Sequence, residues 1–310
     1  MAIKQHKIRS NIIVITAIAV IFSALIFTLL RASIPYLTNY GEDFEKVLSE
    51  QLGLPVEIAM VDADISWLVP RLKLLDVSVY DKDHEKHLMH FREISISLNW
   101  IDTIRNLSLE LGDVFVFGMD IQVERNEQGV FLVQGIKIEK SDSSDSSVDE
   151  INSFFSKTSL YIVDSAVRWI DRSSNLQEIV LTNLNLTMIN SGSDHEISID
   201  MDLPDSYGRH LKIISEFEGD ITRPELWQGE LYVSAINLRL NNWLNDYWEL
   251  VDFPGSGQLS MDAWVDFKDF SVHKATASLK CNDLVLYYLG EDVESWALDH
   301  ISMKFQWSQA

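Results

Sequence analysis

The sequence predicts a mainly β protein with one N-terminal transmembrane helix, and three observations lead to this fold class. Residues 12–30 form an apolar run without a charge. Apolar and polar residues alternate with a period of two over most of the chain after residue 56, which is typical of strands with one apolar face. The 310 residues are 46% hydrophobic, which is enough for a sizeable buried core. We therefore expect a folded chain that consists mostly of sheet.

The apolar run IIVITAIAVIFSALIFTLL, from Ile12 to Leu30, has the length of a helix that spans a membrane. Lys4, Lys7 and Arg9 precede it, whereas acidic residues dominate the stretch that follows. The positive-inside rule then places the N-terminus in the cytoplasm and the bulk of the chain outside. A cleaved signal peptide would have a shorter apolar region followed by small residues, so we interpret the run as an uncleaved single-pass anchor.

An amphipathic helix is predicted between this run and the first strand. Its apolar residues recur at spacings of three and four, and Gly53 and Pro55 end the pattern. These residues are Tyr40, Phe44, Val47, Leu48 and Leu52. The helix is expected to lie near the membrane surface or to cap the first strands.

The alternating segments predict strands joined by short turns, which favours antiparallel meanders. Apolar residues of the early strands are predicted to share one face of the sheet. They are Ile94, Ile96, Leu98, Leu107, Leu109, Leu111, Phe115, Phe117, Met119, Ile121 and Val123. Residues 242–251 predict a short helix packed across the sheet rather than an aromatic ligand box. Alternation alone does not distinguish a closed barrel, a sandwich and an open trough.

A Ser-, Asp- and Glu-rich run, EKSDSSDSSVDE, divides the chain and predicts a solvated linker at residues 139–150. The predicted organisation is then a cytoplasmic tip and anchor at residues 1–31, a helix and first sheet segment at 32–138, this linker, and a second sheet segment at 151–310.

Composition and motifs exclude several function classes. A net charge of −22 argues against nucleic acid as a partner, because phosphate binding requires clustered Lys and Arg. The single cysteine, Cys281, cannot form an intramolecular disulfide and is predicted to be a buried apolar thiol. The segment DKDHEKHLMH, residues 81–90, follows no recognised zinc spacing and is interpreted as a polar loop. No phosphate loop or nucleophile elbow is present, so no catalytic, cofactor or metal site is predicted and the chain is not expected to be an enzyme.

Several segments, taken in order, resemble a known family. Three of them resemble the AsmA-like envelope proteins: the helix ending GLPVEI, the stretch ISWLVPRLKLLDVSVYD from Ile65 to Asp81, and VFVFGMDIQVERNEQGVFLVQGI from Val114 to Ile136. Two later stretches, WQGELYVSAINLRLNNWLNDY and GSGQLSMDAWVDFKDFSVHKATASLKCNDLVLYY, are more specifically similar to the N-terminal part of the YhdP family. The resemblance covers nearly the whole chain.

This resemblance implies an elongated antiparallel sheet curled into an open hydrophobic groove, in a protein tethered to the inner membrane with its bulk in the periplasm. The apolar stripe from Ile94 to Val123 is then the candidate lining of a path for phospholipid moving towards the outer membrane. Membrane phospholipids and other envelope proteins are the implied partners. Members of the family are much longer, so the second sheet segment is expected to be incomplete. The alternative is a structural scaffold or assembly factor for outer-membrane proteins without lipid transport.

Overall fold

The structure is a computed structural model that describes residues 28, 40–66, 69–108, 110–134, 136–137, 158–173, 178–221, 223–247, 255–289 and 293–309. Apart from Thr28, the predicted membrane span lies outside these residues, and so does the predicted linker at 139–150. Within the described ranges, no helix is both long enough and apolar enough to cross a bilayer.

Strands make up most of the described chain; one α-helix precedes the first strand, and two others lie between strands. The helices are α1 (Gly41–Leu52), α2 (Trp100–Asn106) and α3 (Leu240–Tyr247). The first seven strands are β1 (Val56–Ser66), β2 (Val69–Tyr80), β3 (His87–Leu98), β4 (Leu111–Phe117), β5 (Asp120–Arg125), β6 (Phe131–Val133) and β7 (Ile136–Lys137). The later strands are β8 (Leu160–Asp171), β9 (Ile179–Ser191), β10 (Asp194–Asp202), β11 (His210–Glu218), β12 (Gln228–Arg239), β13 (Gly255–Lys268), β14 (Ser271–Leu289) and β15 (Val293–Ser308).

All fifteen strands belong to one sheet, and twelve of them follow the order β1-β2-β3-β4-β8-β9-β10-β11-β12-β13-β14-β15. The other three branch off this order: β5 pairs with β8 and β6, and β6 pairs with β7. The pairings are antiparallel except at the junction, where both β4 and β5 run parallel to β8. Parallel pairing requires a long crossover, and the chain between β5 and β8 is long enough to supply one. The strands on both sides of the predicted linker therefore form a single layer, which is neither a closed barrel nor a sandwich.

The sheet is uncurled, so the predicted curling into a trough is not observed. Period-two alternation determines which side chains share a face, but the curvature of a sheet depends on the twist between strands. The apolar face is consequently an open surface, covered by helices only in places.

Helix α1 packs on this apolar face at the β1 edge, which confirms the capping alternative for the predicted amphipathic helix. Phe44 and Leu48 pack against a cluster that includes Val61 and Leu74, both almost fully buried. Gly53 ends the helix with a φ of 65°, a conformation that glycine adopts without steric penalty. Two side chains of α1 also accept hydrogen bonds from backbone N–H groups of β1: Ser49 Oγ from Val56 at 2.9 Å and Glu45 Oε1 from Ile58 at 2.7 Å.

Several strands contain one residue with positive φ. At that residue the alternation of side chains between the two faces of the sheet shifts by one position. These residues are Asp76, Asp164, Asn183, Asn237 and Asp283, and their φ values range from 49° to 55°. Asp and Asn tolerate this left-handed conformation better than other non-glycine residues. In β2, for example, Leu74 and Val77 lie in the same buried cluster although they are three residues apart rather than two.

Helix α3 covers the opposite part of the apolar face, as predicted for a helix packed across the sheet. Trp243 Nε1 donates a hydrogen bond of 2.6 Å to the carbonyl oxygen of Tyr207, and the two rings meet edge to face. Beneath α3, Cys281 is 4% exposed, which confirms the predicted buried thiol. Burial raises the pKa of this thiol, and the nearby carboxylate of Asp283 raises it further.

Candidate functional site

The most extensive feature of the described surface is a pair of apolar rows that cross the strands from β1 to β15. One row consists of Ala63, Leu72, Ile96, Val114, Leu160, Met188, Ile197, Ser215, Leu231, Val265, Ala275 and Trp307. The other consists of Val61, Leu74, Ile94, Val116, Ile162, Leu186, Ile199, Ile213, Val233, Ala263, Ala277 and Phe305. We call the two rows together the apolar band.

The band is long, continuous and mostly open. With neighbouring strands about 4.8 Å apart, eleven spacings give it a length of roughly 50 Å. Its members are half-buried or exposed, except for Val61 and Leu74, which lie beneath α1. The one polar residue, Ser215, directs its hydroxyl to the backbone oxygen of Glu230 at 3.1 Å. Apolar surface of this extent without a protein partner is typical of a binding surface.

At β9 and β10, buried polar groups limit the band on one side, one row beyond Met188 and Ile197. There, His195 Nδ1 lies 2.6 Å from Asn190 Oδ1, and His195 Nε2 lies 3.0 Å from the carbonyl oxygen of Gly219. The amide nitrogen of Asn190 donates to the carbonyl oxygen of Thr158 at 2.7 Å. On the other side, α1 and α3 cover the apolar face.

The opposite face of the sheet, which we call the polar face, carries some aromatic side chains but is strongly acidic in its second half. Glu196, Glu216, Glu230 and Asp266 lie directly opposite one another on four neighbouring strands, β10 to β13. Like charges at such positions repel each other. Lys274 lies beside this row, with its Nζ 3.7 Å from Asp266 Oδ2.

The strand register places the predicted lining residues on both faces of the sheet. Ile94 and Ile96 lie in the band, and Leu98 continues the same face opposite Leu111. Phe115 and Phe117 lie on the polar face, because they are opposite Ser95 and Glu93.

Past Gly118, which has a φ of 62°, the inward positions shift, so Met119, Ile121 and Val123 return to the apolar face. Leu109 lies outside the described residues. The band members Val114 and Val116 were missing from the predicted set, since even and odd positions are equally apolar from 114 to 117 and alternation cannot choose between them.

The predicted strand that includes Leu107 is wrong, because the chain there forms helix α2 and β4 begins only at Leu111. Asn99 caps the helix by accepting the N–H of Asp102 at 3.2 Å. Thr103 Oγ1 then accepts the N–H of Glu110 at 3.0 Å, which fixes the return of the chain to the sheet. Alternation in a short segment resembles a strand, but these polar contacts favour the helix.

The histidine-rich segment 81–90 is only partly the predicted polar loop: residues 81–86 form the hairpin between β2 and β3, whereas residues 87–90 begin β3. Tyr80 and His84 stack with ring centroids 4.3 Å apart, and His84 Nε2 lies 3.1 Å from Glu57 Oε1. Asp81 accepts the backbone N–H groups of Lys86 and Glu85, which lowers the pKa of its carboxyl. Across the described part of the chain, no group of three or more His, Cys, Asp or Glu side chains is arranged to hold a metal ion.

The family model described as YhdP protein matches residues 1–310. None of the curated proteins compared with the chain matches it.

Proposed function

The chain belongs to the YhdP family, and on this premise we propose that it is an inner-membrane-anchored periplasmic protein that carries phospholipid between the inner and outer membranes. Through this transport it maintains the permeability barrier of the outer membrane. Membership of the family suggests an envelope protein of the lipid-transport type. The predicted anchor at residues 12–30 holds the β1 end of the sheet near the inner membrane.

The continuity of the apolar band is the observation that carries this proposal. Each methylene group that moves from water onto apolar surface contributes about 0.8 kcal/mol, so ten methylenes in contact would contribute up to about 8 kcal/mol. Neighbouring positions along the band are chemically alike, and an acyl chain therefore loses little free energy when it shifts from one strand to the next. A surface of this kind holds a lipid chain and also lets it move.

The acidic face of the sheet supports the same assignment. The row from Glu196 to Asp266 repels anionic head groups, so lipid is directed to the apolar face. No specific head-group pocket is required, because the acyl chains provide the binding free energy.

Site-specific photocrosslinking tests the proposal. A photoreactive amino acid at Ile199, in the band, is expected to crosslink phospholipid in cells, as detected by mass spectrometry of the purified protein. The matched control is Ser198, the preceding residue on β10, whose side chain lies on the other face. Absence of lipid at Ile199, or equal labelling of both positions, would reject lipid transport and favour a scaffold in which the band binds protein.

A further inference from the structure

Helix α2 exposes an unusual group of apolar side chains at one rim of the sheet. Ile101 and Ile104 are each more than half exposed, and Leu107, directly after the helix, is 91% exposed. None of the described residues of α2 is buried. We call Ile101, Ile104 and Leu107 the apolar knob.

The backbone at Leu107 makes this exposure more informative. Leu107 ends α2 in the left-handed conformation, with a φ of 53°. Glycine or asparagine normally occupies such a position, because a side chain with a Cβ is strained there. The chain therefore places an exposed leucine where a smaller or polar residue would favour folding, and strain of this kind is common at functional sites.

The knob is held in a defined position. The Asn99 cap, the bridge from Thr103 Oγ1 to the N–H of Glu110, and a hydrogen bond of 3.0 Å from Asn106 to Glu110 tie both ends of α2 together. The charges of the helix also compensate each other, since Arg105 Nη1 lies 3.6 Å from Asp102 Oδ1. A preformed apolar surface without net charge fits the interior of a bilayer better than it fits water.

The position of the knob relates it to the apolar band. Helix α2 joins β3 to β4, whose residues Ile96 and Val114 lie in the band, and the pair Leu98–Leu111 lies between them and the helix. Two or three strand spacings, about 10–14 Å, separate it from β1, where α1 covers the end of the band. The hairpin at the opposite rim, residues 81–86, is polar.

We propose that the apolar knob inserts into the periplasmic leaflet of the inner membrane beside the anchor, at the boundary between head groups and acyl chains. This inference rests on the proposed function, because lipid that leaves the leaflet at the knob reaches the band over Leu98 and Leu111 and bypasses the covered end at α1. The occupant is thus a phospholipid bilayer surface, and a protein groove is the alternative that the experiment separates.

A fluorophore on Leu107→Cys tests the insertion, in the full chain with Cys281→Ala, reconstituted into vesicles of phosphatidylethanolamine and phosphatidylglycerol. Spin-labelled lipids are expected to quench this fluorophore several-fold more strongly than the same label on Phe270→Cys or Asp205→Cys. Phe270 is 73% exposed at the same rim but seven strand spacings away, roughly 35 Å, and Asp205 lies in a turn at the opposite rim. If quenching at Leu107→Cys is no greater than at these controls, the proposal is overturned, and a protein groove becomes the better candidate for the partner of the knob.

The variant Leu107→Asn separates a membrane contact from a structural role. Asparagine suits the left-handed backbone, so the midpoint of thermal unfolding is expected to stay unchanged or to rise. Quenching of a fluorophore on Ile101→Cys is expected to fall by more than half in this variant, and lipid crosslinking at Ile199 is expected to fall several-fold. A lowered midpoint with unchanged quenching would assign Leu107 a structural role instead. Lipid crosslinking absent at Ile199 in the unaltered chain, with quenching at the knob intact, would reject the transport function but retain the membrane contact.

Discussion

His195 shows how a single buried residue limits the apolar band. Its ring is 4% exposed and both of its nitrogens face oxygen acceptors, on Asn190 and Gly219. The amide group of Asn190 is oriented by the carbonyl oxygen of Thr158, to which its nitrogen donates. A neutral imidazole carries one N–H, so the ring donates to one of these two oxygens, and it packs in a tilted arrangement against Phe217 with centroids 5.1 Å apart.

Replacement of this ring by an apolar side chain should destabilise the fold. His195→Leu is expected to lower the free energy of unfolding by about 1–3 kcal/mol, because an oxygen of Asn190 or Gly219 loses its N–H donor while Asn190 remains buried. Chemical denaturation measures the change. The control His300→Leu removes an exposed histidine and should change stability by less than about 0.5 kcal/mol. Equal effects of the two substitutions would show that the buried network does not stabilise the sheet.

At the scale of the strand, the residues with positive φ explain why the sequence predicted the strands well but often assigned side chains to the wrong face of the sheet. Most strands and both α1 and α3 follow from periodicity, whereas Phe117 was assigned to the apolar face and lies on the other. The shift occurs at residues with positive φ, such as Asp76 within β2 and Gly118 between β4 and β5. One sequence signal would have located this shift: in LKLLDVSV, apolar residues recur at even-numbered positions before the Asp and at odd-numbered positions after it.

Asp283 allows a direct test of this shift in β14. Its φ is 52°, so a β-branched side chain would be strained there. Asp283→Val is expected to lower the free energy of unfolding by about 1–2 kcal/mol, whereas Asp283→Asn should change it by less than about 0.5 kcal/mol. Thr276→Val, in the extended part of the same strand, is the matched control and should be tolerated. Similar stability of the two valine variants, measured by denaturation, would contradict a strained position at residue 283.

At the scale of the whole molecule, the register connects residues that the sequence alone leaves unrelated. Val114 and Leu160 become neighbours because β4 runs parallel to β8, and this pairing joins the band of the first strands to that of the later ones. Neither the parallel junction nor the absence of curling follows from periodicity, since both depend on contacts between distant segments. The apolar composition of the later strands, in contrast, was evident from their alternation.

Continuity of the band predicts that one charge in its middle should divide it. Ile213 lies in the central part of the band on β11, between Ile199 and Val233. In Ile213→Asp, a solvated carboxylate would face each acyl chain that passes, and desolvation of that charge opposes the passage. The residue is only half-buried, so the carboxylate keeps contact with water and the fold should persist, which circular dichroism and thermal unfolding can verify.

Lipid crosslinking on both sides of this substitution then reports whether the band is a single path. A photoreactive residue at Val114 should still capture phospholipid in Ile213→Asp, whereas one at Ala277 should capture several-fold less than in the unaltered chain. The control Ile214→Asp places the same charge on the polar face of the same strand and should leave both positions labelled. If labelling at Ala277 persists in Ile213→Asp, lipid reaches each part of the sheet independently, and movement along the band is rejected even though lipid binding is not.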